Sequence, residues 1–268
     1  MGVRWAALAA AGAVAGSPVS YVTSHQQADG GFAEPGGRSS PALTAWAVLG
    51  LAAAAKPSGG AAAYLFSAPV GDATDLALRV LALDALGADT GTLASRLESL
   101  RRSNGRIGPL VNSTIWGVIA LRATGRPAGA STVRYLLRQQ RPGGGWSWYP
   151  GGAPDSNDTA AAIEALRATG TGGRPIRRGL AYLRTLESKD GGFRLVKGRA
   201  SDSQSTAWAI QAFLAAAERP PARAFAFLSR MRRRNGSYRY SARYAVTPVW
   251  VTAQVLPALA RKPFPLAR

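Results

Sequence analysis

The chain of 268 residues contains no cysteine, a single histidine and two methionines. Without cysteine it has no disulfide framework, no thiolate nucleophile and no cysteine-ligated zinc site. A Ser–His–Asp catalyst would have to use His25, and a zinc site would need mostly carboxylate ligands. We therefore expect neither a metal site nor a cofactor.

Acidic residues are also scarce, with 14 Asp and Glu against 33 Lys and Arg, and the formal net charge is +19. Nearly all of the excess lies beyond residue 90. Such asymmetry favours an anionic partner, either a membrane surface or an acidic protein. The alternative is a solvated basic exterior. No nucleic-acid-reading motif is recognisable, so specific nucleic acid binding is not expected.

The N terminus has an apolar stretch that is too short to span a bilayer. Residues 1–16 have one basic residue near their start, Arg4, then an apolar run, and reach an A-x-A-like site at Ala13-Val14-Ala15. This layout is typical of a short secretory signal. We expect a removable leader on a secreted or cell-envelope protein, and the alternative is an additional N-terminal helix in a cytoplasmic one.

Internal repetition is the strongest pattern in the sequence. Four segments share the order aromatic, four residues, Gln/Glu/Arg, three residues, Gly, one residue, aromatic. They are YVTSHQQADGGF (21–32), YLLRQQRPGGGW (135–146), YLRTLESKDGGF (182–193) and FLSRMRRRNGSY (227–238). Weaker copies at 64–71 and 97–107 bring the number of units to six.

Each copy is followed by an Ala/Leu-rich segment of about 12 residues that is apolar on most faces. A helix that is apolar nearly all round is buried on both sides, whereas the first helix of each unit is amphipathic. Six such hairpins predict an all-α protein, a double-layered α6/α6 toroid over residues 17–261. Residues 262–268 are expected to form a C-terminal tail.

The Y/F-x4-Q-x3-G-x-W/F spacing resembles the glutamine–tryptophan repeat of squalene and hopene cyclases. The alternating helices resemble the α/α-toroid superfamily of terpenoid cyclases, protein prenyltransferases, thioester domains and cobalamin carriers. This resemblance covers essentially the whole chain and implies the toroid fold, while function depends on the site. Zinc-dependent prenyl transfer and thioester chemistry both require cysteine and are excluded.

The segment PDSNDTA (154–160) is similar to the D-x-D-D motif of the cyclases, whose middle Asp protonates an alkene or epoxide. Matched residue by residue, the motif falls on Asp155, Asn157 and Asp158. The donor's position is thus Asn157, which has no acidic proton. Asp158 or Asp155 remains a candidate acid if its pKa is raised.

The next unit has SDSQSTA (201–207) at the same place, with Asp202 and Gln204 aligned to Asp155 and Asn157. A pattern that recurs at the start of inner helices favours helix capping, because these side chains accept hydrogen bonds from unpaired backbone N–H groups. We expect capping residues that also line the mouth of a cavity.

Tryptophans are the second group of candidate cavity residues. Four of them are interpreted as occupying matching positions of inner helices: Trp46, Trp116, Trp208 and Trp250. Their periodicity favours core packing, and contact with a ligand or carbocation is the alternative. Trp148 and Tyr149 lie in a Gly/Pro-rich loop, and there a ligand-touching rim and packing are equally compatible with the sequence.

Since Asn157 stands at the donor's position, the sequence favours a binding module for a bulky hydrophobic, isoprenoid or cobalamin-like ligand. One alternative is a terpene cyclase- or mutase-type isoprenoid enzyme that uses Asp158 or Asp155 as its acid. A second alternative is a protein-interaction scaffold without a ligand.

Overall fold

The computed structural model describes residues 16–56 and 58–266, so almost all of the expected leader lies outside the described residues. The outer helices are α1 (Pro18–Thr23), α3 (Ala61–Ser67), α5 (Gly91–Ser99), α7 (Ala130–Gln139), α9 (Arg174–Arg184) and α11 (Ala222–Met231). The inner helices are α2 (Pro41–Ala53), α4 (Ala73–Ala85), α6 (Val111–Ala123), α8 (Ser156–Ala168), α10 (Ser203–Ala215) and α12 (Pro248–Ala260). A short antiparallel hairpin, β1 (Phe193–Arg194) and β2 (Ser201–Asp202), joins α9 to α10.

The six inner helices close into a ring, because each packs on the next and α12 packs on α2. Every inner helix has 13 residues, so the ring has an even height. At the seam, a Cβ on Gly50 would come within 2.4 Å of the Ala253 carbonyl oxygen, so glycine permits this close approach. The predicted all-α toroid is confirmed. Within residues 16–56 and 58–266, no helix combines the length and apolarity needed to cross a membrane.

The repeated glutamine and glycine connect one unit to the next. The Gln140 side chain donates hydrogen bonds of 2.8 Å to the carbonyl oxygens of Gly144 and of Pro175, which lies at the start of α9. Gly144 has φ +98°, and a Cβ there would meet the Arg178 carbonyl oxygen at 2.4 Å. The turn therefore needs glycine both for its conformation and for its contact with the next outer helix.

A threonine near the start of the inner helix connects the two helices within a unit. The Oγ1 of Thr159 accepts a 2.9 Å hydrogen bond from the backbone N–H of Trp146, the aromatic residue of the turn. Four other units repeat this bond, through Phe32–Thr44, Ile107–Thr114, Phe193–Thr206 and Tyr238–Thr252. The threonine therefore marks equivalent positions along the inner helices.

The residue two places after the turn aromatic covers the start of the preceding unit's inner helix. The Trp148 carbonyl accepts hydrogen bonds of 3.1 Å from the N–H groups of Val111 and Asn112. Leu195 and Tyr240 make the corresponding bonds to Ser156 and Ser203. In the first unit the Glu34 carboxylate does so, accepting from Val249 and Trp250, which closes the ring. These loops therefore gather at one end of the toroid, around the starts of the inner helices.

The C-terminal segment enters the toroid from the opposite end. Phe264 is 3% exposed, and its ring centroid lies 6.1 Å from those of Trp116 and Trp208. The described part of the expected tail therefore contributes to the core instead of extending from it.

Candidate functional site

A cavity of about 410 Å³ opens among the starts of the inner helices, in the size range of small-molecule sites. It brings together nine of the eleven residues singled out from sequence: Trp46, Trp116, Trp148, Asp155, Asn157, Asp158, Gln204, Trp208 and Trp250. Tyr149 and Asp202 are outside its lining. The cavity therefore has a polar mouth above a floor of aromatic residues.

Three tryptophans from alternate inner helices form the floor. Trp46, Trp116 and Trp208 meet edge to face, with ring centroids 5.2 to 5.5 Å apart. The intervening helices contribute smaller or polar side chains at the same level: Leu78, Ala161 and Gln254. Large residues thus alternate with small ones around the ring, and the three indoles fill its cross-section.

The sequence alignment of Trp250 with the other three tryptophans is corrected by the threonine hydrogen bonds. Thr252 is the equivalent of Thr206, so Trp250 precedes the marker by two residues whereas Trp208 follows its marker by two. The position equivalent to Trp208 is Gln254, whose side-chain oxygen accepts a 3.1 Å hydrogen bond from the Trp208 indole N–H. Trp250 is half-buried and lies at the level of the mouth.

Asp155 and Asp202 are N-caps, each on its own inner helix. An oxygen of Asp155 accepts a 2.8 Å hydrogen bond from the N–H of Asp158, and Asp202 does the same for Ser205 at 2.7 Å. The Asp202 carboxylate also accepts from the Ser205 hydroxyl at 2.8 Å. These bonds account for the recurrence of Asp at this place in two units.

Asp158 differs from its counterpart Ser205 because it lines the cavity. It is 3% exposed, and its Oδ1 accepts a 2.7 Å hydrogen bond from the Asn112 amide. The Asn112 oxygen in turn accepts from the Thr74 hydroxyl at 3.2 Å. A chain of polar groups therefore runs from α4 through α6 to α8 across the mouth.

Burial raises the pKa of Asp158 well above its usual range, and the neighbouring charge of Asp155 raises it further. The hydrogen bond from Asn112 opposes this shift. Burial also raises the pKa of Asp155, which its hydrogen bonds with Asp158 counteract. Asp158 is therefore the member of the pair that holds a proton more readily, in contact with an apolar cavity.

Two further mouth carboxylates were missed by sequence reasoning. Asp72 is the N-cap of α4 and accepts from the N–H groups of Thr74 and Asp75, at 2.7 and 2.9 Å. Asp75 accepts in return from the Asp72 N–H at 3.4 Å. The signal was present as the capping-box spacing D-x-x-D before an apolar helix, but only the closed ring brings these residues to the same mouth.

The two loop aromatics have different environments. Trp148 is 48% exposed and lines the cavity, and its backbone is fixed by the hydrogen bonds to the start of α6. Tyr149 is 55% exposed and lies outside the lining. Trp148 therefore forms part of the rim of the mouth.

One buried carboxyl lies beyond the floor. Glu164 follows Asp158 by six residues on α8 and is fully buried, and burial raises its pKa well above its usual range. The backbone N–H of Phe264 faces it. Among the described residues, no group of three or more His, Cys, Asp or Glu side chains is arranged to hold a metal ion.

Comparison of the sequence with protein-family models and with curated proteins gave no match. Solved structures do match. The type II terpene cyclase MstE from Scytonema is 17% identical with a TM-score of 0.69, over 91% of this chain and 95% of that one. A protein from Actinoplanes is 19% identical with a TM-score of 0.68, over 91% and 97%.

The geranylgeranyltransferase-I of Candida albicans, a protein prenyltransferase complexed with GGPP, is 12% identical with a TM-score of 0.58, over 82% of this chain and 83% of that one. The chain therefore has the α/α-toroid fold that type II terpene cyclases and protein prenyltransferases share. This finding confirms the resemblance that the repeats indicated. At these identities the likeness establishes the fold, and the activity has to be argued from the site.

Proposed function

We propose that this protein is an isoprenoid-converting enzyme of the type II terpene cyclase kind, with Asp158 as its acid. The observation that carries the proposal is a buried carboxyl of raised pKa at the top of a tryptophan-floored cavity. One structure of similar fold, a type II terpene cyclase from Scytonema, is in complex with geranylgeranyl dihydroxybenzoate, which supports an isoprenoid ligand.

The chemistry is proton transfer to carbon. The Asp158 O–H bond breaks and leaves a carboxylate. Its proton forms a C–H bond as the π bond of an alkene breaks, or an O–H bond as the ring C–O bond of an epoxide breaks, and a carbocation develops on the adjacent carbon. The indoles of Trp46, Trp116 and Trp208 offer π-electron density to this cation. A cavity with an apolar floor limits capture of the cation by water. A ring closes when a second double bond attacks the cation. Loss of a proton from the carbon beside the final cation to water forms a double bond and ends the reaction, and the Asp158 carboxylate regains a proton from solvent at the mouth.

This proposal reverses the preference that the sequence favoured. A binding module was favoured because Asn157 stands where the cyclase donor is expected, but Asp158 lines the cavity and is itself an acid of raised pKa. A cobalamin-like ligand gains no support from the solved structures of similar fold, whose named ligands include geranylgeranyl dihydroxybenzoate and GGPP. The membrane-surface and protein-partner hypotheses gain no support from the described residues.

The test is incubation of the purified protein with polyprenyl substrates in D₂O, followed by mass spectrometry of the products. We expect cyclised product carrying one deuterium at the protonated carbon. Asp158→Asn should lower the rate by about 10²-fold or more, since it removes the acid. Asp202→Asn is the matched control: it neutralises a buried capping carboxyl outside the cavity lining and should keep the activity.

The binding-module alternative predicts a different pattern. It predicts equal ligand binding by the wild type and by Asp158→Asn, no turnover by either, and new activity in Asn157→Asp, which restores the donor position of the cyclase motif. That pattern would overturn the assignment of Asp158.

A further inference from the structure

The charge at the mouth of the cavity is opposite to that of the rest of the protein. Of the described residues that line the cavity, four are aspartates (Asp72, Asp75, Asp155 and Asp158) and none is Lys or Arg. The chain as a whole has 33 basic and 14 acidic residues. The lining therefore does not follow the composition, and the bound molecule must be compatible with a surplus of carboxyl groups.

From this charge distribution we infer that the cavity takes isoprenoids with an uncharged polar end group, such as an alcohol, phenol or epoxide, and rejects isoprenyl diphosphates. The inference rests on the proposed function and specifies its substrate class. Asp72 and Asp75 are not fully buried, and their carboxylates would repel a diphosphate held at this mouth, where no lining Lys or Arg is present to neutralise it.

Nearby basic side chains are engaged elsewhere. Arg79, on α4, is buried and donates hydrogen bonds to the carbonyl oxygens of Ala68 and Pro69, at 2.6 and 2.7 Å. Arg194, next to the lining residue Leu195, donates to the Ser188 hydroxyl. These guanidinium groups therefore stabilise backbone turns and loops and do not line the cavity.

The remaining polar groups of the lining are neutral. Asn157 and Gln204 are half-buried amides at the mouth. The Asn157 oxygen accepts a 3.0 Å hydrogen bond from the Ser156 hydroxyl, and the Gln204 side chain makes no hydrogen bond to another described residue. Amides both donate and accept, so they suit a hydroxyl, a carbonyl or an ether oxygen.

Bridging of a diphosphate by a divalent cation is the way in which an acidic mouth would accept one. Within the described residues, no three acidic, His or Cys side chains are arranged around a common metal position. A cation bridge would therefore rest on one or two carboxylates and the phosphates themselves, and the experiment has to include Mg²⁺.

The test is a titration of tryptophan fluorescence, since tryptophans both floor the cavity and form part of its rim. Geranylgeraniol and geranylgeranyl diphosphate are compared at concentrations below micelle formation, at low salt, with and without Mg²⁺. We expect the alcohol to bind at least about tenfold more tightly than the diphosphate, in agreement with the repulsion argument. Equal or tighter binding of the diphosphate, including binding that appears only with Mg²⁺ or depends on the exposed Lys197 and Arg199, would overturn the inference.

The double variant Asp72→Asn/Asp75→Asn identifies the cause. Asparagine caps helices as well as aspartate does, so α4 should stay folded. The difference in affinity between the alcohol and the diphosphate should become smaller. The control variant Asp29→Asn/Asp89→Asn removes two exposed carboxylates outside the lining. It should leave the difference in affinity between the alcohol and the diphosphate unchanged. If both double variants behave alike, net charge and not the mouth explains the preference, and the inference fails.

Repeating the titration with Asp158→Asn separates this inference from the proposed function. Binding preference does not need turnover, so a wild-type protein that shows no turnover but still prefers the alcohol, as Asp158→Asn also should, would refute the enzyme and keep the substrate class. A wild-type enzyme that converts the diphosphate would keep the proposed function and refute the substrate class.

Discussion

The side-chain amide of Asn112 donates a 2.7 Å hydrogen bond to Oδ1 of Asp158, although 46 residues separate the two in the chain. The bond joins α6 to α8 at the mouth of the cavity and fixes the orientation of the proposed acid. Neither helix alone shows it, because it exists only when neighbouring inner helices start at the same level of the ring.

The first prediction concerns the acidity of Asp158. The hydrogen bond from Asn112 lowers the pKa of Asp158 against the larger effect of burial. Asn112→Ala should therefore raise that pKa further, so that Asp158 stays protonated to higher pH. Infrared difference spectroscopy of the carboxylic C=O stretch across a pH titration, with Asp158→Asn as the blank, measures this directly.

Asn157→Ala is the matched control for this prediction, because Asn157 lines the same cavity and its side-chain oxygen bonds to Ser156 instead. Asn157→Ala should change the pKa of Asp158 less than Asn112→Ala does. A downward shift in Asn112→Ala, or none, would show that the hydrogen bond does not control the acidity.

A second prediction concerns the tryptophan floor. Trp116 is 4% exposed and contacts Trp46, Trp208 and Phe264. Trp116→Ala should lower the free energy of unfolding by about 3–5 kcal/mol, because it leaves a cavity where three rings met. Urea unfolding monitored by circular dichroism gives this value.

Trp148→Ala removes the same side chain from the rim, where it is 48% exposed. Its cost in stability should stay below about 1 kcal/mol, while ligand binding weakens. If both substitutions lower the free energy of unfolding equally, the packing of Trp46, Trp116 and Trp208 does not stabilise the ring of inner helices.

A third prediction concerns ring closure. Glu34 accepts hydrogen bonds of 2.9 and 2.8 Å from the N–H groups of Val249 and Trp250, which joins the first unit to the last. Glu34→Ala should cost about 1–2 kcal/mol, in the range of a lost helix cap, and hydrogen exchange at the start of α12 should become faster.

Glu218→Ala serves as the comparison, since Glu218 forms an exposed ion pair with Arg184. Exposed pairs contribute about 0–1 kcal/mol, so this substitution should have the smaller effect. If exchange in α12 stays slow in Glu34→Ala, the contacts between α2 and α12 close the ring without Glu34.

A fourth prediction concerns stability against pH. Burial raises the pKa of Asp202 to about 6. Because the folded pKa exceeds that of the unfolded chain, the contribution is fully present below about pH 4 and is lost as the pH rises through 6. The difference between the ordinary aspartate pKa of 3.8 and the pKa of about 6 corresponds to about 3 kcal/mol.

Asp202→Asn should remove that part of the pH dependence, so that the difference in stability between pH 4 and pH 7 becomes smaller than in the wild type. Urea unfolding at a series of pH values measures it. Asp89→Asn, at an exposed site, is the control and should keep the wild-type dependence of stability on pH. If Asp202→Asn also keeps that dependence, Asp202 is not its source.

Much of the site could be predicted from the sequence, and the predictions that were wrong or missing have physical causes. The motif likeness located Asp155, Asn157 and Asp158, which all line the cavity. Trp250 was placed in the wrong layer because apolar helices align equally well at several offsets, and only the hydrogen bond from Tyr238 to Thr252 defines the register. Asp72 and Asp75 were missed because their unit is the most degenerate copy of the repeat.

Local rules encoded in the sequence determined the helices, the turns and the order of the layers, because periodicity, glycine turns and capping act over a few residues. Only the tertiary structure decided which carboxyl groups lose enough solvent for their pKa values to be raised. Asp155 and Asp202 look alike in sequence and both cap helices, but Asp158 gains its raised pKa from burial among helices that are distant in the chain. Desolvation depends on everything packed around a group, and that is known only once the ring has closed.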